Sequence, residues 1–245
     1  MDANNVNDNK KHIDQLFNSI AGRYDLINHV LTLGIDILWR KKAARQLKDI
    51  LADKSVSRTA VLDVACGTGD MITAVEKAGN KYARNKRIDI TGADISPTMA
   101  FICGKKHSAK YDIVVADVKT MPFKDSSFDA VTCAFGVRNF DDLNKGLYEM
   151  IRVMKSGGKL VITEFSYPEN KLVRFFYNIY FTYFLPYIGG LLSGKISAYK
   201  YFCKSVKVFP KTEDFTSILQ SLHLKDVKHK PLTFGIANIY TAYKP

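Results

Sequence analysis

The stretch VLDVACGTGD, residues 61–70, ends an apolar run in a turn that carries Gly67 and Gly69. Glycines between a strand and a helix permit backbone conformations and close approaches that a side chain would block, which is the geometry of a nucleotide site. A pyrophosphate cradle needs a third glycine three residues on, and Ile72 stands there. Asp94 closes the next β-like run in GADIS, where a carboxylate can accept hydrogen bonds from both hydroxyls of a ribose. Asp117 closes the one after it in VVADV, at a position suited to an exocyclic adenine amine. Asp63 and Asp70 flank the glycines and could face a cation. Several carboxylates around a turn that offers no basic residue suit a cationic sulfonium nucleoside better than a phosphate-bearing cofactor. The competing reading is a set of aspartates that only cap helices.

These residues need a scaffold that brings strand ends together. Short β-rich runs (AVLDV, IDITGAD, DIVVAD, FDAVTCAFG, KLVITEF) alternate with helical patterns over 71–79, 97–109 and 141–154. That rhythm predicts one α/β domain around a mainly parallel sheet, with ligands bound outside the C-terminal strand ends. A polar tail, residues 1–9, is expected to be disordered, and helices over 10–52 precede the cofactor-binding core, 60–165. Apolar spacing at Ile13, Leu16, Phe17 and Ile20, and at Ile37, Ala44, Leu47 and Leu51, marks two helical segments in that leader. The rhythm breaks over 166–210, an aromatic-rich segment read as a helical lid. A helix at 212–222 and two β-like runs forming an edge hairpin fill 211–245.

The chain has 245 residues and a formal charge of +12, from 36 basic and 24 acidic residues, which points to an anionic partner: nucleic acid, lipid headgroups or a phosphorylated substrate. Its four cysteines, 66, 103, 133 and 203, form no C-x-x-C pair, so they read as free thiols in a reducing compartment. The five histidines show no ligand spacing, and no metal is expected. The N-terminus lacks an apolar signal region, so a cytoplasmic location is expected. GGLLSGKI, from Gly189, mimics a phosphate loop but follows no strand and has Ile196 where magnesium binding needs Ser or Thr.

With these residues in view, VLDVACGTGD and MPFKDSSFDAVTCAFG resemble the cofactor loop and fourth strand of class I S-adenosylmethionine-dependent methyltransferases, which have a Rossmann-like seven-stranded sheet with a C-terminal antiparallel strand. Over nearly the whole chain, the blocks IAGRYDLINHVLTLGIDILWRKKA, AFGVRNFDDLNKGLYEMIRVMKSGGKLVITEFSYP and YKYFCKSVKVFP are similar to the ubiquinone/menaquinone biosynthesis C-methyltransferase family. The resemblance implies methyl transfer from S-adenosylmethionine to a ring carbon of a polyprenylated quinol. It carries cofactor contacts to Thr68, Asp94, Asp117, Val118 and Ala134, and Asp63, Ala65, Gly67, Gly69 and Ile95 complete the expected cofactor site. Some relatives have Ser at the place of Ala134, so only a backbone contact is expected from it.

A quinol carbon becomes nucleophilic when the adjacent hydroxyl, titrating near ~10 like a phenol, loses its proton. Arg138 would stabilise the phenolate or polarise a water that takes the proton, and Asn139 would orient the ring oxygen. The resemblance points to the same two residues, and the alternative for Arg138 is an ion pair with Asp141 or Asp142. Tyr24 and Asn28, four apart, could close over the acceptor if their segment is helical.

Residues 172–192 contain one charge, Arg174, and Arg174, Asn178, Pro186 and the Gly189-Gly190 pair interrupt the run, so a lid lining a polyprenyl channel is preferred to a membrane span. Lys195, Lys200, Lys204 and Lys207 follow, and with the aromatics they suit peripheral contact with the inner face of an anionic membrane. No nucleic-acid module and no Asn-Pro-Pro-aromatic loop follows the fourth strand, so a nucleic-acid partner is not expected. A homodimer is compatible with the chain. Demethylmenaquinol is the leading acceptor, the 2-polyprenyl-6-methoxy-1,4-benzoquinol of ubiquinone synthesis (or both) the runner-up, and an RNA methyltransferase the distant rival.

Overall fold

The computed structural model describes residues 24–84, 86–194 and 196–245. The expected tail over 1–9 and the helix begun at Ile13 lie outside them. Helix α1 (Tyr24–Leu31) turns through Gly34, at φ 74°, into α2 (Ile35–Ala44), and a 3-10 turn at Arg45–Leu47 leads to α3 (Lys48–Ala52). The buried stripe of this leader is Trp39, Ala43, Leu47 and Leu51, while Ile37 faces out.

Strands β1 (Arg58–Val64), β2 (Arg87–Asp94), β3 (Asp112–Val115), β4 (Phe128–Ala134) and β5 (Met154–Phe165) alternate with α4 (Asp70–Tyr82), α5 (Pro97–Lys106) and α6 (Leu143–Val153). The chain then forms α7 (Lys171–Ile179), a wide π-helical turn at Tyr180–Phe184, α8 (Leu185–Ser193), α9 (Ile196–Val208) and α10 (Thr212–Ser221). Strands β6 (Lys225–Leu232) and β7 (Ala237–Tyr243) close it. The sheet order is β3-β2-β1-β4-β5-β7-β6, with β1 to β5 parallel, β7 antiparallel to both neighbours and β6 at the edge. The expected edge hairpin is therefore β6–β7. Exposed Lys225, Lys228 and Lys230 on β6 discourage pairing with another chain.

Successive strand residues feed opposite faces. Val61, Ala130, Val161 and Ile239 pack on one side with Leu47, Ile72 and Tyr177 of α7. Leu62, Val131, Leu160 and Tyr240 pack on the other with Leu147, Met150 and Phe215. The N-terminal helices and the 166–210 segment thus share one face of the sheet. Helix starts are fixed by side chains: the Ser96 hydroxyl accepts from the Met99 amide, the Asp142 carboxylate from Lys145, and the Asn170 carbonyl from Leu172 and Val173.

The glycine pair of the 166–210 segment does not interrupt its helix. Gly189 and Gly190 stay within α8, and a Cβ on them would stand 2.5 Å from the Tyr199 ring and 2.3 Å from Ile196 Cγ1. Their bareness lets α9 lie directly against α8, and the mock phosphate loop is part of this helical corner. Among the described residues no helix is long and apolar enough to cross a membrane.

Candidate active site

β1 and β4 are neighbours, and each is followed at once by a residue with left-handed backbone: Ala65 at φ 52° and Phe135 at φ 63°. Such turns are strained for residues other than glycine and persist where their surroundings fix them. The Cys66 amide donates to the Ala93 carbonyl and the Phe135 amide to the Thr163 carbonyl, so each turn is tied to the next strand. Between them Gly136 is in close contact: a Cβ there would lie 2.6 Å from the Ala65 Cβ. The two turns open a crevice across the C-terminal strand ends.

A cavity of about 710 Å³ occupies that crevice, and every cofactor contact expected from the sequence lines it except Gly69. Gly69, at φ 89°, starts α4, and a Cβ on it would strike the His107 ring and the Cys103 thiol. Gly67 has open space where a Cβ would stand, so the cavity reaches the backbone itself. Asp94 accepts from the Gly67 amide at 2.8 Å and from Ser96 at 2.9 Å, which ties its carboxylate to the glycine turn. Asp117 lies two residues beyond β3 and accepts from the Lys119 amide at 3.0 Å.

Asp63 is fully buried, and burial pushes its carboxyl up to about 7 although the Thr132 hydroxyl donates to Oδ1 at 2.6 Å. Its Oδ2 is buried with no hydrogen-bond partner. A cradle open to backbone, a ribose-side carboxylate and a half-satisfied buried acid fit a cationic nucleoside. Thr68, Asp94 and Asp117 would hold its polar edges, with Ile95, Val118 and Ala134 on its apolar parts.

A second, more apolar cavity of about 660 Å³ adjoins the first, lined by α7, α8 and α9 and by Trp39 of α2. Four side chains line both cavities: Arg40, Phe135, Arg138 and Tyr201. Arg138 does not pair with Asp141 or Asp142. It donates from Nη1 to Glu164 Oε1 at 2.7 Å and to the Phe135 carbonyl, and its amide donates to Glu164 Oε2. Asp141 instead takes Lys119. The Arg138 guanidinium also stacks 5.5 Å from the Phe165 ring and 5.0 Å from that of Phe202. Asn139 lines the cofactor cavity, and its Oδ1 accepts from the Tyr201 hydroxyl at 3.4 Å. Burial pushes the Tyr201 phenol up, partly opposed by the Arg138 charge, so it stays protonated as a donor.

Tyr24 and Asn28 lie on α1, as their spacing required, but their side chains lie outside the described residues. Sequence reasoning passed over the network that holds the leader to the cofactor turn. Asp36 accepts from Thr32, His29 and Arg40, and Arg40 and His29 each lie 3.7 Å from Asp70. Burial opposes ionisation of Asp36, but the Thr32 hydrogen bond and the Arg40 charge hold its carboxyl below the usual range. His29, Asp36 and Asp70 thus meet despite their spacing, with donor atoms within 4.8 Å of one another. Arg40 already supplies the positive charge among them.

A seven-stranded sheet of this order, with a glycine turn after β1 and acidic residues at the ends of β2 and β3, defines a class I S-adenosylmethionine-dependent methyltransferase. The chain belongs to the ubiE/COQ5 methyltransferase family, whose model matches residues 4–244. It is 41% identical over 237 residues to a ubiquinone/menaquinone biosynthesis C-methyltransferase of Geotalea daltonii, covering 95% of this chain and 96% of that one. It is 38% identical to a demethylmenaquinone methyltransferase of Thermus thermophilus, covering 94% and 100%. The fold is shared with a methyltransferase of Thermotoga maritima described as a possible histamine N-methyltransferase, at a TM-score of 0.62 and 16% identity over 94% of this chain and 99% of that one.

Proposed function

We propose that the chain methylates a ring carbon of a polyprenylated quinol, with demethylmenaquinol as its acceptor. The observation that carries this reading is the shared wall: a cavity edged by the carboxylates of Asp63, Asp94 and Asp117 and suited to a nucleoside meets a more apolar one suited to an isoprenoid at Arg40, Phe135, Arg138 and Tyr201. Relatives named for the menaquinone step support the naphthoquinol acceptor.

S-adenosylmethionine supplies a methyl group already activated on a sulfonium. The chain must therefore present a carbon nucleophile in line, at roughly 3 to 3.5 Å. Arg138, held by Glu164, keeps Nη2 for a quinol oxygen or for the water that takes its proton, and thereby favours the phenolate. Asn139 is anchored through Oδ1 by Tyr201, which leaves its amide N–H groups to orient the ring oxygen.

Residues 166–210 act as the lid over the acceptor. Val173, Phe176, Tyr180, Phe181, Leu185 and Ile188 receive the prenyl chain. Leu33, which lines the more apolar cavity, and Tyr183, Phe184, Tyr187 and Leu191 of the 166–210 segment are exposed, and Lys200, Lys204 and Lys207 add positive charge. Such a patch suits peripheral docking on the inner face of an anionic membrane, where the substrate resides.

The test is label transfer from radiolabelled S-adenosylmethionine to reduced demethylmenaquinone and, separately, to the 2-polyprenyl-6-methoxy-1,4-benzoquinol. Label in the naphthoquinol alone is expected. Label only in the benzoquinol would move the enzyme to ubiquinone synthesis, and label in neither, with cofactor bound, would sink the quinol reading.

A further inference from the structure

Arg138 can serve only one oxygen of its acceptor, because the two oxygens of a 1,4-quinol lie at opposite ends of the ring. A ring held at one end can swivel and present the wrong carbon to the methyl group. A second cation stands in the same wall. Arg40, like Arg138, lines both cavities, and its guanidinium lies 5.1 Å from the Phe135 ring centroid. The Phe135 and Phe165 rings are 4.6 Å apart, so the two guanidinium groups stack on different members of one aromatic pair.

Arg40 is also the more available of the two. Its side chain is 11% exposed against 3% for Arg138. Its contacts with Asp36 and Asp70 both run through Nη1. Among the described residues its Nε and Nη2 make no hydrogen bond, and neither is a sealed atom, whereas Arg138 Nε is sealed. The mount is rigid, since Asp36 is itself fixed by the Thr32 hydroxyl at 2.6 Å and by His29 Nδ1 at 2.8 Å. A pre-positioned guanidinium loses little freedom when a ligand oxygen arrives.

We propose that Arg40 is a substrate-binding residue that donates from Nη2 or Nε to the quinol oxygen para to the one served by Arg138, and so fixes which ring carbon meets the methyl group. This rests on the quinol reading above. The bland alternative is that Arg40 is only a strut between Asp36 and Asp70.

The chain has one tryptophan, Trp39, and it lines the acceptor cavity, so a bound quinone should quench its fluorescence without cofactor or turnover. The experiment titrates 2-geranyl-1,4-naphthoquinone into the wild type, Arg40→Gln and Arg40→Lys. The lysine variant keeps a charge for Asp36 and guards against misfolding. Saturable quenching is expected in the wild type, with quinone affinity about 10- to 100-fold weaker in Arg40→Gln and intermediate in Arg40→Lys. In Arg40→Lys, S-adenosylmethionine affinity should stay within about twofold and KM for the quinol should rise more than kcat falls. Unchanged quinone affinity in both variants, with lower Tm or weaker cofactor binding, would leave only the strut and overturn the proposal. Absence of saturable quenching in the wild type would instead remove the quinol reading on which it rests.

Discussion

Arg138 and Glu164 form an ion pair at 2.7 Å in which the arginine side chain is 3% exposed and the glutamate 0%. The pair joins the turn after β4 to the end of β5, and the carboxylate also accepts from the Arg138 and Phe165 amides. Removing one partner of such a pair leaves an uncompensated buried charge, which typically costs about 3 to 5 kcal/mol. Glu164→Ala should therefore lose that order of stability in urea unfolding, and Glu164→Gln less. If Glu164→Ala unfolds at the wild-type midpoint, Glu164 does not neutralise Arg138.

Arg138→Ala, if it folds, should retain cofactor affinity while losing turnover by about 100-fold or more, the scale expected when a group that stabilises developing charge is removed. Turnover within a few fold of wild type, with cofactor bound normally, would end the catalytic role proposed for it.

Asp63 titrates near 7 in the folded chain against an ordinary value of 3.8, because burial penalises its charge. Its proton is held more tightly in the folded state, so its contribution to stability is full below about pH 4 and is lost as pH rises through about 7. Asp63→Asn should remove that loss, making the variant gain on the wild type by a few kcal/mol between pH 4 and 8, on the order of 1.4 kcal/mol for each tenfold difference in proton affinity between the folded and unfolded chain. A cation bound beside Asp63 favours its ionised form. Binding of S-adenosylmethionine near pH 7 should therefore release a proton, seen as a buffer-dependent calorimetric enthalpy that disappears in Asp63→Asn. An identical enthalpy in buffers of different ionisation heat would refute the linkage.

Gly136→Ala would place a Cβ 2.6 Å from that of Ala65 and 2.8 Å from the Cys133 sulfur. Overpacking of this kind costs about 1 to 3 kcal/mol. Because the neighbour belongs to the cofactor turn, S-adenosylmethionine affinity should fall along with Tm. A variant with weakened stability and intact cofactor affinity would show that the two turns are not mechanically joined.

Leu191 is 86% exposed and Tyr183 67% on the 166–210 segment, and neither lines either of the two cavities described. Replacing both by Asp should reduce co-sedimentation with vesicles containing anionic lipid, while label transfer to a short-chain quinol in detergent-free buffer is kept. Unchanged co-sedimentation would exclude this patch as a membrane-docking surface. A change in oligomeric state instead would identify the patch as a contact between copies.

The parts of the site that were legible in the sequence are those fixed locally. A glycine turn after an apolar run, and acidic residues at the ends of the following runs, place Gly67, Asp94 and Asp117 without knowledge of packing. The partner of Arg138 was not legible in that way, since Asp141 and Asp142 are near in sequence whereas Glu164 reaches it only because β4 and β5 pair side by side. A signal did exist: Glu164 sits in KLVITEF, an apolar run, and a buried carboxylate requires a cation. Trp39 and Arg40 fall in one of the blocks that carry the family resemblance but had no role in the sequence, because their places beside the cavities depend on how the N-terminal helices fold back onto the sheet. Glycine in a helical run reads as a break, yet Gly189 and Gly190 are spent on contact between α8 and α9.

The wall common to the two cavities has a thermodynamic corollary. Arg40, Phe135, Arg138 and Tyr201 answer to occupants on both sides, so filling one chamber changes the surface met in the other. Whatever factor the nucleoside imposes on affinity for the lipid, the lipid must impose the same factor on affinity for the nucleoside.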